Sequence, residues 1–204
     1  VNVDSGNIVI YKSSDNSVVE TIDVTSGQVT GTGTTQITID PSSDLTADTN
    51  YYIQIDSTAF DDGSSNSYAG ISDTTTLSFT TADETAPTLS SSTPADNATA
   101  VATTSNIVLT FSEAVDVESG NITIKKTSDN STVETIDVTS GQVTGSGSTQ
   151  ITINPSSDLE EQTSYYVQID ATAFDDGSSN DYAGISDTTT PVSYTHLRAH
   201  ETSL

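Results

Sequence analysis

Acidic side chains are the groups in this sequence best suited to chemistry. The chain carries 29 Asp and Glu residues against 4 Lys and Arg residues, and several of the acidic residues are clustered. Clustered carboxylate oxygens are the ligands that Ca²⁺ prefers. We therefore predict a calcium site, with a solvated acidic surface suited to salty water as the alternative. The predicted metal ligands are Asp83, Glu84, Glu113, Asp116, Asp175 and Asp176.

Catalytic groups are scarce, because both histidines, His196 and His200, lie in a C-terminal tail unlike the rest of the chain. Without them there is no Ser-His pair and no His-metal cluster, and the lack of Cys removes thiol chemistry. The pairs Asp61–Asp62 and Asp175–Asp176 each offer the two carboxylates that a glycosidase needs. Neighbouring strand residues, however, point to opposite faces. We predict no catalytic residues, no organic cofactor and no enzyme.

The net charge of -25 also limits the partners of the chain. Such a surface repels phosphate backbones and anionic lipids, so we predict no binding to nucleic acids or to membrane surfaces. The apolar runs are far shorter than a membrane span, so we also predict no membrane insertion. Hydrophobic residues make up only 32% of the sequence, which by itself favours disorder. Their regular arrangement instead favours thin sandwiches with polar outer faces.

The chain contains an internal repeat. A shift of 114 positions aligns residues 1–76 with residues 115–190 without a gap, and 16 of the 76 pairs differ. Divergence this low indicates recent duplication, as in long tandem arrays. Residues 85–114 have no counterpart before Val1, so we expect the chain to begin inside a domain.

Residues 191–204 do not share the Thr-, Ser- and Asp-rich composition of the repeats. They hold both histidines and the only arginine, Arg198. The run Val192–Thr202 resembles the translation of a transposon-type sequencing adapter; a natural basic tail is the alternative. We predict a non-native tail.

The repeats show the period-two pattern of β-strands, and no segment keeps a helical stripe. Short alternating runs are separated by turns rich in Gly, Asn, Asp and Ser, such as the turn at Gly145. This spacing predicts an all-β sandwich. The alternating apolar positions in the second repeat include Ile107, Leu109, Phe111, Ile122, Ile124, Ile151, Ile153, Tyr165, Val167 and Ile169.

Three local features carry a family resemblance. They are the opening Thr85–Pro87, the strand end Phe111–Val115, and the aromatic pair Tyr165–Tyr166 followed by an Asp-rich loop. Together they resemble the bacterial Ig-like domains of the SbsA type, found in S-layer proteins and large repetitive adhesins. The resemblance covers the chain before Pro191. It implies tandem immunoglobulin-like, Greek-key β-sandwich domains, an extracellular location on the bacterial surface, and a structural or adhesive role.

The Ig-like topology would also bring the acidic segments together. Strands B and F return to the end at which strand A starts, so three segments should meet at one pole. These are the linker Asp83–Glu84, the B–C turn with Glu113 and Asp116, and the F–G turn Asp175–Asp176. Calcium there would stiffen the junction between neighbouring repeats, which are the expected partners. We predict a structural extender repeat; the alternative is a module that binds a carbohydrate or protein ligand.

The expected domains are residues 1–82, an Ig-like repeat without its first two strands; 83–190, a repeat without its native last strand; and the tail 191–204. The first copy should be unstable or borrow strand pairing, because strands A and B would cover Ile8, Ile55 and Phe79. Tyr51 and Tyr165 should either pack in the core or bond their hydroxyls back to nearby backbone.

The tail should disturb the last strand of the second repeat. Position for position, Pro191 and Ser193 replace the apolar Leu77 and Phe79 of the first copy. A strand here should be slipped by one residue, short or missing, because a one-residue slip inverts the side chains and Pro cannot donate to the ladder.

Overall fold

All regular structure in the computed structural model is β-strand. The structure describes residues 1–187 and 193–196, and these residues contain no helix, hence none that could cross a membrane. The prediction of an all-β chain is therefore confirmed. The chain divides into two units, Val1–Glu84 and Thr85–Leu204.

Two five-stranded sheets build the second unit. One sheet has the order β10-β18-β16-β12-β13; in the other, β14-β15-β11-β17, strand β9 pairs with β11 as well. The strands are β9 (Leu89–Thr93), β10 (Ala98–Val101), β11 (Ile107–Val117), β12 (Asn121–Lys126), β13 (Thr132–Asp137), β14 (Val143–Thr144), β15 (Ser148–Ile153), β16 (Ser164–Ile169), β17 (Phe174–Asp175) and β18 (Ser193–His196).

The core of the second unit lies between these sheets and follows the period-two pattern. Ile107, Leu109 and Phe111 of β11 are buried, and so are Ile122 and Ile124 of β12. The two sheets contribute to one continuous cluster of buried apolar side chains. Burial of alternate residues on facing sheets is what stabilises a β-sandwich.

The first unit repeats part of this architecture. Its four-stranded sheet has the order β3-β2-β6-β8. The second unit has another five-stranded sheet, and the first unit has two separate strand pairs instead, β4-β5 and β1-β7. Its strands are β1 (Asn2–Val3), β2 (Asn7–Lys12), β3 (Val18–Asp23), β4 (Val29–Thr30), β5 (Thr38–Ile39), β6 (Asn50–Ile55), β7 (Phe60–Asp61) and β8 (Ser78–Thr80).

The first unit contains no counterpart of β9, of β10 or of most of β11, because residues 85–114 are not repeated in it. Of the residues expected to need their cover, Ile8 and Ile55 are still buried, whereas Phe79 is 38% exposed. The instability expected for this copy stays a prediction.

In each unit a tyrosine near the start of β6 or β16 makes a hydrogen bond through its hydroxyl to the preceding backbone. The hydroxyl of Tyr165 accepts a hydrogen bond from the backbone N–H of Glu160 at 2.9 Å. The hydroxyl of Tyr51 accepts one from the backbone N–H of Thr46 at 3.1 Å. Both residues are also buried, so each tyrosine packs in the core and makes the backbone hydrogen bond as well.

The last strand of the second unit is slipped by one residue, as predicted. In the first unit Tyr51 lies opposite Phe79, and in the second Tyr165 lies opposite Tyr194. The 114-residue shift would instead align Tyr194 with Thr80. The slip places an aromatic ring, only 2% exposed, in the core. The expectation for Pro191 lies outside the described residues.

Candidate functional site

Two carboxylates of the second unit face each other across a strand pair. Asp116, near the end of β11, lies directly opposite Asp175 of β17. An isolated β-bridge places Asp181 opposite Asp175 as well. Directly opposed residues of antiparallel strands lie side by side, and like charges there destabilise the sheet. Three neighbouring backbone positions therefore carry acidic side chains.

Asp175 lies at the centre of this group, opposite both Asp116 and Asp181. Burial raises the pKa of its carboxyl, and the negative charges of Glu118, Asp116, Asp181 and Asp176 raise the pKa further. One carboxylate oxygen, Oδ1, is buried and has no hydrogen-bond partner in the described part of the chain. A buried anionic oxygen without a donor is costly unless a cation or a proton compensates it.

Asp176 has a different role, in the loop that follows β17. It is 4% exposed, and its Oδ1 accepts hydrogen bonds from the backbone N–H groups of Ser178 and Asn180 at 2.8 and 2.9 Å. Its Oδ2 accepts from Nδ2 of Asn180 at 2.8 Å. Burial alone would raise the pKa of Asp176, but these hydrogen bonds outweigh burial and lower it. Asp176 is thus an ionised carboxylate that shapes its loop.

Two further predicted ligands lie on β11. A carboxylate oxygen of Glu113 lies within 4.8 Å of one of Asp176. Oδ1 of Asp116 accepts a hydrogen bond from the hydroxyl of Ser146 at 3.1 Å, and that hydroxyl accepts one from the N–H of Val117. The second unit therefore brings Glu113 near Asp176 and Asp116 near Asp175.

The predicted location of these residues in turns is wrong for three of the four. Glu113 and Asp116 lie within the eleven-residue strand β11, and Asp175 lies in β17. Where the B–C turn was expected, β11 shows a register shift between Thr110 and Val115. Beyond this shift β11 pairs with β17. Such an irregularity redirects side chains without ending the strand. Of these four residues, only Asp176 lies in a loop.

The remaining predicted ligands, Asp83 and Glu84, end the first unit. Asp83 is half-buried and Glu84 is exposed. Their part in a metal site stays a prediction.

Asp181 and Glu118 were not among the predicted ligands. The signal for Asp181 was available, because it is the one difference between residues 61–70 and 175–184 and replaces Ser67. Asp116 likewise replaces Asn2. The first unit keeps the same pairing, with Asn2 opposite Asp61 and Asp61 bridged to Ser67. The first unit therefore keeps the central carboxylate, Asp61, but not the two acidic residues opposite it, and Oδ1 of Asp61 is likewise buried without a hydrogen-bond partner in the described part of the chain.

Comparison with known proteins gives one family. A family model described as a bacterial Ig-like domain matches residues 2–81 and again residues 83–195. A search of curated proteins found no match.

Proposed function

The chain belongs to the bacterial Ig-like domain family, and on this premise we propose that it is an extender segment of a bacterial cell-surface adhesin or S-layer-like protein. Domains of this family are generally non-catalytic structural modules that usually occur in surface or extracellular proteins. In this role each repeat adds length, and its partners are the neighbouring repeats of the same chain.

The observation that carries the proposal is the near-identity of the repeats. Only 16 of the 76 aligned pairs differ, and several differences exchange Ser for Thr, as at Ser13 and Thr127. Loops that bind different ligands diverge and gather aromatic residues. Here the loops of both copies consist mainly of Ser, Thr, Gly, Asn and Asp. Because the whole repeat is copied with few changes, a role in which the number of repeats sets the length of the protein is favoured.

The extender role is tested by chain length. Proteins with two, four and eight copies of residues 85–190 would be compared by small-angle scattering. A strand of eleven residues spans about 35 Å, so the maximum dimension should rise by about that amount per copy. A maximum dimension that hardly grows with copy number would contradict the proposal.

We further propose that the acidic group of the second unit binds Ca²⁺. Asp116, Asp175 and Asp181 occupy opposed positions, and Asp175 has a buried oxygen without a donor. Ca²⁺ takes six to eight oxygen ligands at about 2.3–2.6 Å, so it suits clustered carboxylates. Glu113 and Asp176 would add ligands from β11 and from the following loop, and Asp83 and Glu84 from the linker. Bound calcium would then stiffen the junction between repeats.

The calcium proposal has a matched control inside the chain. Asp116→Asn and Asp181→Ser introduce the residues that the first repeat carries at the same places, so the fold should accept them. At a calcium concentration 100 times the dissociation constant, binding stabilises the folded unit by about 2.7 kcal/mol. The melting temperature of the unchanged chain should rise with Ca²⁺, and that of the double variant should not.

The control variant for charge is Asp158→Asn, which removes one exposed carboxylate outside the group. It should keep the full response to Ca²⁺. If Na⁺ at equal ionic strength raises the melting temperature as much as Ca²⁺ does, the acidic surface is only solvated. If the double variant still responds like the unchanged chain, calcium binds elsewhere.

A ligand-binding module is the second candidate. A groove of about 810 Å³ in the first unit is lined in part by Lys12, Tyr51 and Phe79, and aromatic rings are common in sugar sites. In the second unit β10 pairs with β18, the strand that corresponds to β8. The first unit has no counterpart of β10. A smaller groove of about 370 Å³ is present at the equivalent place in the second unit, where its lining includes Thr127, Gln162 and Ser164. Binding on a glycan array by a chain with two full repeats would favour the module over the extender.

A further inference from the structure

The outer face of the four-stranded sheet in the first unit carries two stacked tyrosines. Ile8 and Ile10 of β2 are buried in the core, so Tyr11 of the same strand points to the other face. Tyr11 lies opposite Tyr52 of β6, and the two rings are nearly parallel, with centroids 4.8 Å apart and an angle of 8° between the planes. The hydroxyl of Tyr52 donates a hydrogen bond to Oδ1 of Asn16 at 3.1 Å. Tyr11 is therefore a half-buried ring held in place by a fixed neighbour.

A groove of about 390 Å³ lies beside Tyr11. Its lining includes Val9 of the same strand, Gln54 of β6, and Asp56 and Ser57 from the segment that follows β6. The volume lies within the range of about 300–1,000 Å³ that is usual for small-molecule sites. Such sites combine aromatic or apolar surface with a few polar groups that fix the orientation of the ligand.

Two polar side chains of the groove have fixed orientations. Nε2 of Gln54 donates a hydrogen bond to the carbonyl oxygen of Ser72 at 2.7 Å, so Oε1 is the amide atom that can accept from a ligand. Oδ2 of Asp56 accepts a hydrogen bond from the backbone N–H of Asn7 at 2.7 Å. A carboxylate can accept several hydrogen bonds, so Asp56 keeps capacity for a ligand. Oriented acceptors beside an aromatic ring suit a ligand with several hydroxyl groups.

The frame of this groove is the same in both units. Strands β12 and β16 pair in the register of β2 and β6. Nε2 of Gln168 donates to the carbonyl oxygen of Ser186 at 2.6 Å, and Oδ2 of Asp170 accepts from the N–H of Asn121 at 2.8 Å. The frame therefore does not depend on residues 85–114, which only the second unit contains.

The units differ in the side chains that this frame presents. Three lining residues of the first unit, Val9, Tyr11 and Ser57, correspond to Thr123, Lys125 and Ala171 in the second. An aromatic ring and a Lys side chain differ far more in chemistry than the Ser and Thr that are exchanged elsewhere between the repeats. One frame therefore carries two different binding surfaces.

We propose that the groove of the first unit binds a neutral sugar, with the pyranose ring packed on Tyr11 and sugar hydroxyls donating to Gln54 and Asp56. The C–H groups of a pyranose carry partial positive charge and are attracted to the negative π surface of an aromatic ring. The net charge of -25 disfavours acidic sugars.

A proline-rich peptide suits the groove less well. Grooves for such peptides are lined by several aromatic residues. Here Tyr11 is the only aromatic side chain among the described residues that line the groove. A sugar bound on the outer face is compatible with the extender role and does not depend on it.

The test titrates neutral methyl glycosides of glucose, galactose and mannose, in both anomeric forms, into the full chain and follows backbone amides by NMR. At least one sugar should shift the amides of residues 9–11 and 54–57 on binding. The equivalent amides of residues 123–125 and 168–171 should stay unchanged, so the second unit is the control within the same molecule. The methyl glucuronide, which adds a negative charge, should bind more weakly than the methyl glucoside.

Exchange of lining residues between the units tests the role of the aromatic ring. Tyr11→Lys introduces the residue that the second unit carries at this position, so the fold should accept it, and affinity should fall at least about 10-fold. Tyr11→Phe keeps the ring and should keep binding. In the opposite direction, Thr123→Val, Lys125→Tyr and Ala171→Ser together should transfer binding to the second unit, where the amides of residues 123–125 should then shift.

Three results would overturn the proposal. They are no shift with any of the sugars at millimolar concentration, shifts of similar size in both units, and equal affinity of Tyr11→Lys and the unchanged chain. A proline-rich peptide that shifts residues 9–11 where the sugars do not would mean that the groove binds peptide, and the proposed ligand would be wrong. Sugar binding by a chain that fails the scattering test of length would count against the extender role alone.

Discussion

Two tyrosines at equivalent positions of the repeats should differ in their contribution to stability. Tyr182 and Tyr68 share the same sequence neighbours apart from Asp181 and Ser67, and the exposed fraction of the side chain is 6% for Tyr182 and 41% for Tyr68. We expect Tyr182→Ala to destabilise the second unit more than Tyr68→Ala destabilises the first.

The size of this difference follows from burial and ring contacts. A buried aromatic side chain removes about 150–250 Å² from water, so the difference in exposure corresponds to roughly 50–90 Å². At about 25 cal/mol per Å², that area is worth about 1–2 kcal/mol. Tyr182 also makes an edge-on contact with Phe111 that Tyr68 lacks within its own unit, worth about 0.5–1.5 kcal/mol. Together these give a difference of about 2–3 kcal/mol.

Native-state amide hydrogen exchange measures the opening free energy of each unit separately. Ile10 and Ile124 occupy equivalent positions in β2 and β12 and are buried, so their amides report the opening free energy of each unit. Tyr182→Ala should lower the opening free energy at Ile124 by about 3–5 kcal/mol. Tyr68→Ala should lower the opening free energy at Ile10 by about 1–2 kcal/mol, because Tyr68 has less area to expose.

A second pair of equivalent residues provides the control. Phe60 and Phe174 are both buried, at 7% and 0% exposure, so Phe60→Leu and Phe174→Leu should have similar effects. Equal losses for the two tyrosine variants, alongside equal losses for the phenylalanine variants, would refute the idea that the first unit lacks a covering strand.

Three more predictions concern the second unit. Tyr165→Phe should cost about 1–2 kcal/mol in urea unfolding, because a partly buried backbone N–H loses its acceptor; no change would contradict this. The raised pKa of Asp175 means that the folded unit binds a proton more tightly than the unfolded chain. Without calcium, stability should therefore fall as pH rises from the ordinary value of 3.8 through the raised pKa. In Asp175→Asn the melting temperature should lose this dependence, and an unchanged slope would count against the assignment. Replacing residues 191–197 by the sequence of Leu77–Asp83 should raise the melting temperature, and a lower one would show that the slipped strand fits better.

The acidic group could be predicted from the local sequence only in part. The clustering of Asp and Glu was visible in the sequence, as was the distinction between Asp116 and Asn2. That Asp116 lies opposite Asp175 was not visible, because a strand pair 59 residues apart is fixed by sheet register. The expected turn at Glu113 failed for the same reason, since β11 continues past its register shift to pair with a new partner.

Strands were predictable where apolar residues alternate, as in Ile107–Phe111 and Ile122–Ile124. The bounds of β9 (Leu89–Thr93) and β10 (Ala98–Val101) could not be predicted, because β9 is largely Ser and Thr and β10 consists of Ala, Thr and Val. Their strand conformation depends on pairing with β11 and β18. Where the local preference for strand conformation is weak, pairing with neighbouring strands determines the conformation.

The sequence by itself determined the all-β class, the repeat, the buried faces of the alternating strands and the acidic character of the surface. It could not determine the environment of each side chain, as Tyr68 and Tyr182 demonstrate. Their local sequences are nearly the same, and local sequence sets only the preference for a strand and the face that turns inward. Whether that face is covered depends on strand β11, which comes from a distant part of the chain and is present in one unit only. Tertiary structure therefore decided which apolar residues are fully buried and which remain partly exposed.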